Sequence, residues 1–264
     1  MLGAIVGDIV GSRYEFKNYK SKEFEFFHAD CFVTDDTIMT LAVAEAIMNC
    51  QGDYTKLYDA TITSMRLIGP KYPCSGYGES FFRWLYSDRP KPYDSYGNGA
   101  AMRISPIATI ANSLAEVKKY SRAVTETTHN NSEGIKGAEA VASAIFLART
   151  GKTQEEIREY INRNYYLLNF TLDEIRLTYE FDSSCQGSVP QAIVAFLEAN
   201  SFEDAIRNAI SIGGDADTIA AITGSIAEVY FTIPEEISKK ALTYLDELQL
   251  DILQRFELFR KGLK

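Results

Sequence analysis

The chain has 264 residues and a formal charge of −9, from 27 basic and 36 acidic side chains. Hydrophobic residues make up 46%, enough for a sizeable core and too many for a disordered chain. The acidic balance excludes the basic footprint of a nucleic-acid binder, so nucleic acid is not expected as a general partner.

The four cysteines, Cys31, Cys50, Cys74 and Cys185, form no CxxC pair and match no zinc spacing. They read as reduced thiols, and the expected compartment is the cytoplasm. The apolar opening Met1 to Gly11 is short, contains Asp8 and lacks a basic flank, so it makes a poor secretory signal. No apolar run reaches membrane-spanning length, and no membrane partner is expected.

In chain order, the first predicted element carries glycines at positions 3, 7 and 11, which share one face of a helix. Glycine weakens a helix, so this repetition predicts close approach of a second helix. Glu15 follows. Residues 17–33 have the least helical pattern. Phe24 and Phe26 alternate with glutamates as in a short strand or extended loop, and the segment is a candidate flap.

Thr34-Asp35-Asp36-Thr37 opens a strong apolar helix over 35–50, and a second helix spans 54–68 before Gly69-Pro70. A turn-rich stretch then carries Gly76, Tyr77 and Gly78. A short helix around Phe81-Phe82-Arg83-Trp84-Leu85 follows, its aromatics read as core. A second turn segment holds Ser95, Tyr96, Gly97, Asn98 and Gly99. Capping-box spacings appear at Ser113/Glu116, Thr153/Glu156, Thr171/Glu174 and Thr232/Glu235.

Helices are predicted at 132–149, 189–199, 202–211, 218–230 and 234–260. Gly151 ends the first, and Pro190 sits in the first turn of the second. Strand–helix alternation is absent, which excludes a Rossmann-type sheet. The reading is all-α, one compact domain over residues 1–264.

Two acidic clusters sit at helix openings: Thr34 to Thr37, and Gly213-Gly214-Asp215-Ala216-Asp217-Thr218. One carboxylate per helix N-terminus has an ordinary capping use. Adjacent or i, i+2 pairs repel unless a proton or cation intervenes. Oxygen ligands without His or Cys suit a hard cation. Spacing alone leaves capping and metal binding both open. Asp215-Ala216-Asp217-Thr218 partly mimics a DxDxT phosphatase signature, but helical periodicity precedes it where that chemistry needs a strand.

Five motifs occur in order: Gly7-Asp8-Ile9-Val10-Gly11-Ser12-Arg13-Tyr14-Glu15, Thr34-Asp35-Asp36-Thr37, Tyr96-Gly97-Asn98-Gly99-Ala100-Ala101-Met102-Arg103, Thr128-His129, and Gly214-Asp215-Ala216-Asp217-Thr218. Ser188-Val189-Pro190-Gln191-Ala192-Ile193 is a weaker sixth. Together they resemble the ADP-ribosylglycohydrolase family, which includes the dinitrogenase reductase-activating glycohydrolase. The resemblance implies an all-α fold with a dinuclear metal site at helix N-termini, holding two divalent cations, Mg²⁺ or Mn²⁺. It implies hydrolysis of the bond between ADP-ribose and an acceptor on a protein or small molecule. Arginine is the default acceptor. Serine, O-acetyl and nucleic-acid linkages, or a non-catalytic ADP-ribose-binding regulator, are the alternatives.

Carried over by motif, Thr34, Asp35 and Asp36 form one half of the metal site, and Asp215, Asp217 and Thr218 the other. Glu15 is the first choice for proton transfer, and Asp36 the second. Gly76, Tyr77, Gly78, Ser95, Tyr96, Gly97, Asn98, Gly99 and His129 would bind substrate. Backbone amides would cradle pyrophosphate, a tyrosine would stack on adenine, and Asn98 would reach phosphate or ribose. Turn chemistry at positive φ explains the same glycines without a ligand. Arg103 fits either a phosphate contact or an internal salt bridge. His28 has no assigned role.

Overall fold

A computed structural model describes residues 1–262. It contains α1 (Leu2–Ser12), α2 (Asp35–Asn49), α3 (Leu57–Ile68), α4 (Glu79–Leu85) and α5 (Gly99–Met102). Next come α6 (Ile107–Ile110), α7 (Leu114–Thr125), α8 (Ser132–Arg149), α9 (Gln154–Asn164) and α10 (Leu172–Ile175). The chain ends with α11 (Cys185–Leu197), α12 (Phe202–Ile210), α13 (Ala216–Tyr230), α14 (Glu235–Leu242) and α15 (Glu247–Gly262). Among the described residues there is no strand, only an isolated antiparallel bridge between Gly97 and Ser184. The fold is all-α, as expected. Among the described residues no helix is long and apolar enough to cross a membrane.

Helix α13 lies at the centre and touches α1, α8, α11 and α12. Its antiparallel contact with α1 is made backbone against backbone. A methyl group on Gly7 would lie 2.1 Å from the Ala220 carbonyl oxygen, and one on Gly3 would lie 2.2 Å from that of Gly224. The predicted glycine face is therefore the seam between two helices drawn from opposite ends of the chain. Helix α2 packs between α3 and α15 and also meets α1.

Full capping boxes form at Thr153/Glu156 and Thr171/Glu174. At Ser113 the hydroxyl caps the Glu116 amide, while Glu116 reaches one residue further, to the Asn112 amide. Thr232/Glu235 does not cap: α14 starts after Pro234 without a side-chain cap. Gly151 adopts φ 82° just after α8, as its C-terminal position required.

Two further expectations are corrected. Helix α11 begins at Cys185 under a Ser184 cap, so Pro190 lies in its interior rather than its first turn. The proline removes the bond to the Gln186 carbonyl, on a residue exposed to solvent. The helix expected over 234–260 is two helices, because Asp246 and Gln249 exchange side-chain-to-amide bonds of 2.9 and 3.1 Å that restart the chain at α15. Of the two readings of residues 17–33, the structure shows the loop and not the strand. The loop is pinned by Arg207, which donates to the Lys22 and Phe24 carbonyls and stacks over Phe24 at 4.8 Å. Lys20 fastens it further, to the carbonyls of Tyr179 and Ile212.

Candidate active site and metal centre

The first turns of α2 and α13 meet at one cavity of about 420 Å³. Thr34 caps α2 by accepting from the Asp36 amide, which leaves Asp35 and Asp36 in the first turn. The chain enters α13 through Gly213 and Gly214 at φ 69° and 72°, a left-handed turn that suits glycine. Asp215 then sits at the N-cap position but makes no capping bond. Its Oδ2 instead accepts from Asn98 Nδ2 at 2.7 Å. Asp215 is thus turned away from the helix end that it opens, whereas Asp217 Oδ1 accepts from the Thr218 amide at 2.9 Å.

A third helix contributes a carboxylate that sequence reasoning missed. Asp8 is fully buried in the middle of α1. Its Oδ1 accepts from Thr34 Oγ1 at 2.6 Å, and its Oδ2 accepts from the Thr34 and Thr37 amides at 3.1 Å each. It thus caps α2 from another helix. A charged side chain in an otherwise apolar helix was the available clue.

Asp8, Asp36 and Asp217 each offer a carboxylate oxygen, and the three lie within 4.8 Å of one another. Glu15, Asp215 and Asp217 form a second such trio. The trios share Asp217, an arrangement suited to two neighbouring cations. Thr218 Oγ1 donates to Asp36 Oδ2 at 3.1 Å and holds that side chain in place. Asp36 Oδ1 is buried and has no partner. Asp35 lines the cavity outside both trios, opposite Gly76.

The electrostatics point the same way. Burial, opposed by bonds from Thr34 and Thr37, pushes Asp8 up to about 6. Burial and the charges of Asp215 and Asp8 push Glu15 up to about 7. Burial and Asp8 push Asp35 up to about 8. Asp36 and Asp217 are driven well above the usual carboxylate range by burial and their acidic neighbours, and burial raises Asp215. The only basic side chain among the lining residues is Arg103. Six carboxylates therefore converge without enough protein cations to balance them. An all-oxygen donor set with an unpartnered buried oxygen fits a hard divalent ion.

Of the expected substrate-binding residues, Gly76, Gly78, Ser95, Gly97, Asn98, Gly99 and His129 line the cavity. Tyr77 and Tyr96 are not in its wall. The Tyr77 hydroxyl donates to the Gly69 carbonyl and its ring packs on Phe81, while Tyr96 is half exposed. The amide nitrogen of Asn98 is committed to Asp215 and to Ser188 Oγ at 3.0 Å. Among the loop glycines only Gly76 has a positive φ, so turn strain does not account for Gly78, Gly97 or Gly99. Phe81 and Trp84 are buried, as expected of core residues, whereas Phe82, expected there too, is exposed.

Arg103 is buried and has no carboxylate partner among the described residues, so the internal salt bridge is not seen there. Phe16, Tyr93 and Phe181 complete the aromatic part of the wall. Phe16 and Phe181 stack 5.9 Å apart and are exposed, beside Glu15. Nothing in the periodicity of either segment marks them, because each lies in a loop.

The comparisons with known proteins agree with this geometry. A family model described as ADP-ribosylglycohydrolase matches residues 1–260. The human ADP-ribosylhydrolase ARH3 is 27% identical over 312 residues, covering 88% of this chain and 84% of that protein. The ADP-ribosylarginine hydrolase Tri1 of Pseudomonas putida (strain GB-1) is 26% identical over 295 residues, covering 97% of this chain and 77% of that protein. A solved structure titled "ADP-ribosylglycohydrolase-related protein complex" superposes with a TM-score of 0.70 at 24% identity, over 99% of this chain and 95% of its own. That likeness shows the fold. With the family match running nearly end to end across helices that gather six carboxylates at one cavity, the chain belongs to the ADP-ribosylglycohydrolase family of hydrolases.

Proposed function

We propose that the protein releases ADP-ribose from ADP-ribosylated arginine, on a protein or a small molecule, by hydrolysis that depends on divalent cations. The observation that carries this reading is the pair of carboxylate trios sharing Asp217. Asp8, Asp36, Asp215 and Asp217 would hold the ions, with Asp35 and the Thr218 hydroxyl at the margin. Thr34 acts through Asp8, to which its hydroxyl donates. Bound Mg²⁺ or Mn²⁺ would supply Lewis acidity toward water and the ribose hydroxyls.

The remaining work falls to the chain. Glu15 is half-buried, lies against Asp215 and Asp217, and follows α1 on a short turn. Its carboxylate accepts a proton from the water that attacks the anomeric carbon, as the bond from that carbon to the guanidine nitrogen breaks. The same proton is then available to the departing guanidine. Asp36 is a poorer base, because one oxygen already accepts from Thr218 and its carboxylate would be committed to holding a cation with Asp8 and Asp217. Gly97 and Gly99 line the cavity where a pyrophosphate can approach the backbone, the Gly97 amide itself being held by Ser95 Oγ at 3.2 Å. The stacked faces of Phe16 and Phe181 offer a planar cationic leaving group a surface beside Glu15.

Arginine linkage is favoured by that aromatic pair and by the Tri1 relative. A panel of arginine-, serine- and O-acetyl-linked ADP-ribosyl substrates, assayed with Mg²⁺, with Mn²⁺ and with chelator, tests the reading. The expected result is release of ADP-ribose from the arginine conjugate, abolished by chelator. Turnover of the serine conjugate alone would overturn the linkage. Binding without release would identify a regulator instead.

A further inference from the structure

The floor of the cavity holds a polar chain whose directions are fixed by donor chemistry. Arg103 follows α5, and Thr128 and His129 precede α8. Their relative exposures are 1%, 0% and 4%. Arg103 Nη2 donates to Thr128 Oγ1 at 2.6 Å and lies 3.2 Å from His129 Nδ1. Thr128 Oγ1 is itself 2.7 Å from the same nitrogen.

A guanidinium has hydrogens to give and no lone pair to receive. Arg103 therefore takes one of the two lone pairs of Thr128 Oγ1 and also gives a hydrogen to His129 Nδ1. Because the guanidinium can only donate, Nδ1 must be bare, and the Thr128 hydroxyl can then give it a hydrogen as well. A neutral imidazole with a bare Nδ1 carries its proton on Nε2. A charged ring would set N–H against N–H beside a buried cation, and burial together with Arg103 disfavours the charged form.

The other ring nitrogen faces the glycine turn. A methyl group on Gly99 would lie 3.4 Å from Nε2, and one on Gly97 3.6 Å. No group among the described residues accepts from Nε2, and His129 lines the cavity there.

We infer that Arg103 and Thr128 are positioning residues that lock His129 as its Nε2–H tautomer, aimed at an anionic oxygen of ADP-ribose lying over Gly97 and Gly99. The choice of acceptor rests on the proposed substrate; the tautomer rests on the geometry alone. Arg103 has no carboxylate partner among the described residues, and its Nε is buried without a bond, so the residue is poorly explained as an ion-pair strut.

Nitrogen-15 NMR of histidine-labelled protein reads the tautomer directly. The chain has two histidines, and a His28→Gln variant assigns the signals. The expected spectrum shows His129 with Nδ1 unprotonated and Nε2 protonated. A protonated Nδ1 in the unaltered chain would overturn the inference.

In Arg103→Met the Thr128 hydroxyl becomes free to accept, so an Nδ1–H population should appear. KM for ADP-ribosylated agmatine should rise about tenfold with kcat nearly unchanged, the loss expected of one binding hydrogen bond. Arg103→Lys retains a donor and should recover most of the affinity. Arg103→Gln, whose amide oxygen can accept from the ring, gives the same readout if Arg103→Met fails to fold, whereas Thr128→Val, nearly isosteric, leaves Arg103 on Nδ1 and should keep Nε2–H while KM rises. Folded variants that keep both the Nε2–H signal and the original affinity would remove Arg103 and Thr128 from this role. An unaltered chain that shows Nε2–H but does not bind ADP-ribose with Mg²⁺ would overturn the assigned acceptor and the proposed function, and leave the tautomer standing.

Discussion

Asp8 serves two helices with one carboxylate. It satisfies the first amides of α2 and also offers an oxygen to the trio with Asp36 and Asp217. Asp8→Asn keeps the shape but loses the charge and one acceptor. Its affinity for Mn²⁺, measured by calorimetry, should fall by at least about tenfold, as when a group that orients or ligates a metal is altered. Glu15→Gln should lower kcat by roughly 10²–10⁴, the usual contribution of a placed base, while ADP-ribose affinity changes little. A base works when deprotonated, so kcat should rise with pH along an acid limb. Burial and acidic neighbours place Glu15 at about 7 in the metal-free chain, and bound cations pull it lower. The limb therefore belongs below pH 7 in the loaded enzyme and should vanish in Glu15→Gln. The aspartates at positions 35, 36, 215 and 217 were legible because they stand in short motifs at helix openings. Asp8 was not, because its role depends on partners 26 and 29 residues away. The Tyr77 and Tyr96 rings were placed by their loop motifs, and a motif does not say which way a ring points.

The seam between α1 and α13 does for the elements what Asp8 does for side chains. Asp8 lies on one helix and Asp217 on the other, so the spacing of the seam sets the spacing of the carboxylates. Gly7→Ala places a methyl group 2.1 Å from a backbone oxygen that has no rotamer to yield. Overpacking of that kind costs roughly 1–3 kcal/mol. A thermal melt should show the loss, and Mn²⁺ affinity should weaken with it. Thr153→Ala, at a surface capping box, should cost about 1 kcal/mol without touching metal affinity. The contrast separates loss of stability from loss of the site. The glycine periodicity predicted the close approach, but no local pattern named the partner helix. The early start of α11 was hidden by Pro190, which reads as a first-turn residue, and the break before α15 by continuous apolar spacing across Asp246.

At the scale of the whole molecule, the converging carboxylates make stability depend on what balances them. Without metal, Asp8 and Asp35 have folded-state values raised from an ordinary 3.8 to about 6 and about 8. The folded state then binds protons more tightly than the unfolded state. Its stabilisation is complete below about 4 and is lost as pH rises through 6 to 8. Calorimetry of the chelated protein should therefore show a melting temperature that declines between pH 5 and 8. With saturating Mg²⁺ the decline should flatten, because cations replace the protons. An identical pH profile with and without metal would exclude these carboxylates as the binding site.

Ten of the eleven residues of α1 are buried, and the helix has no polar face of its own. Its cover, α13, lies roughly 200 residues further along the chain. At a synthesis rate of about 5–20 residues per second, a nascent α1 waits roughly 10–40 s for that cover. During this interval the ribosome displays a greasy, unaccompanied helix, the kind of surface that holdase chaperones take up. Halting translation before residue 216 should therefore yield a chain that needs such a holdase to stay dispersed.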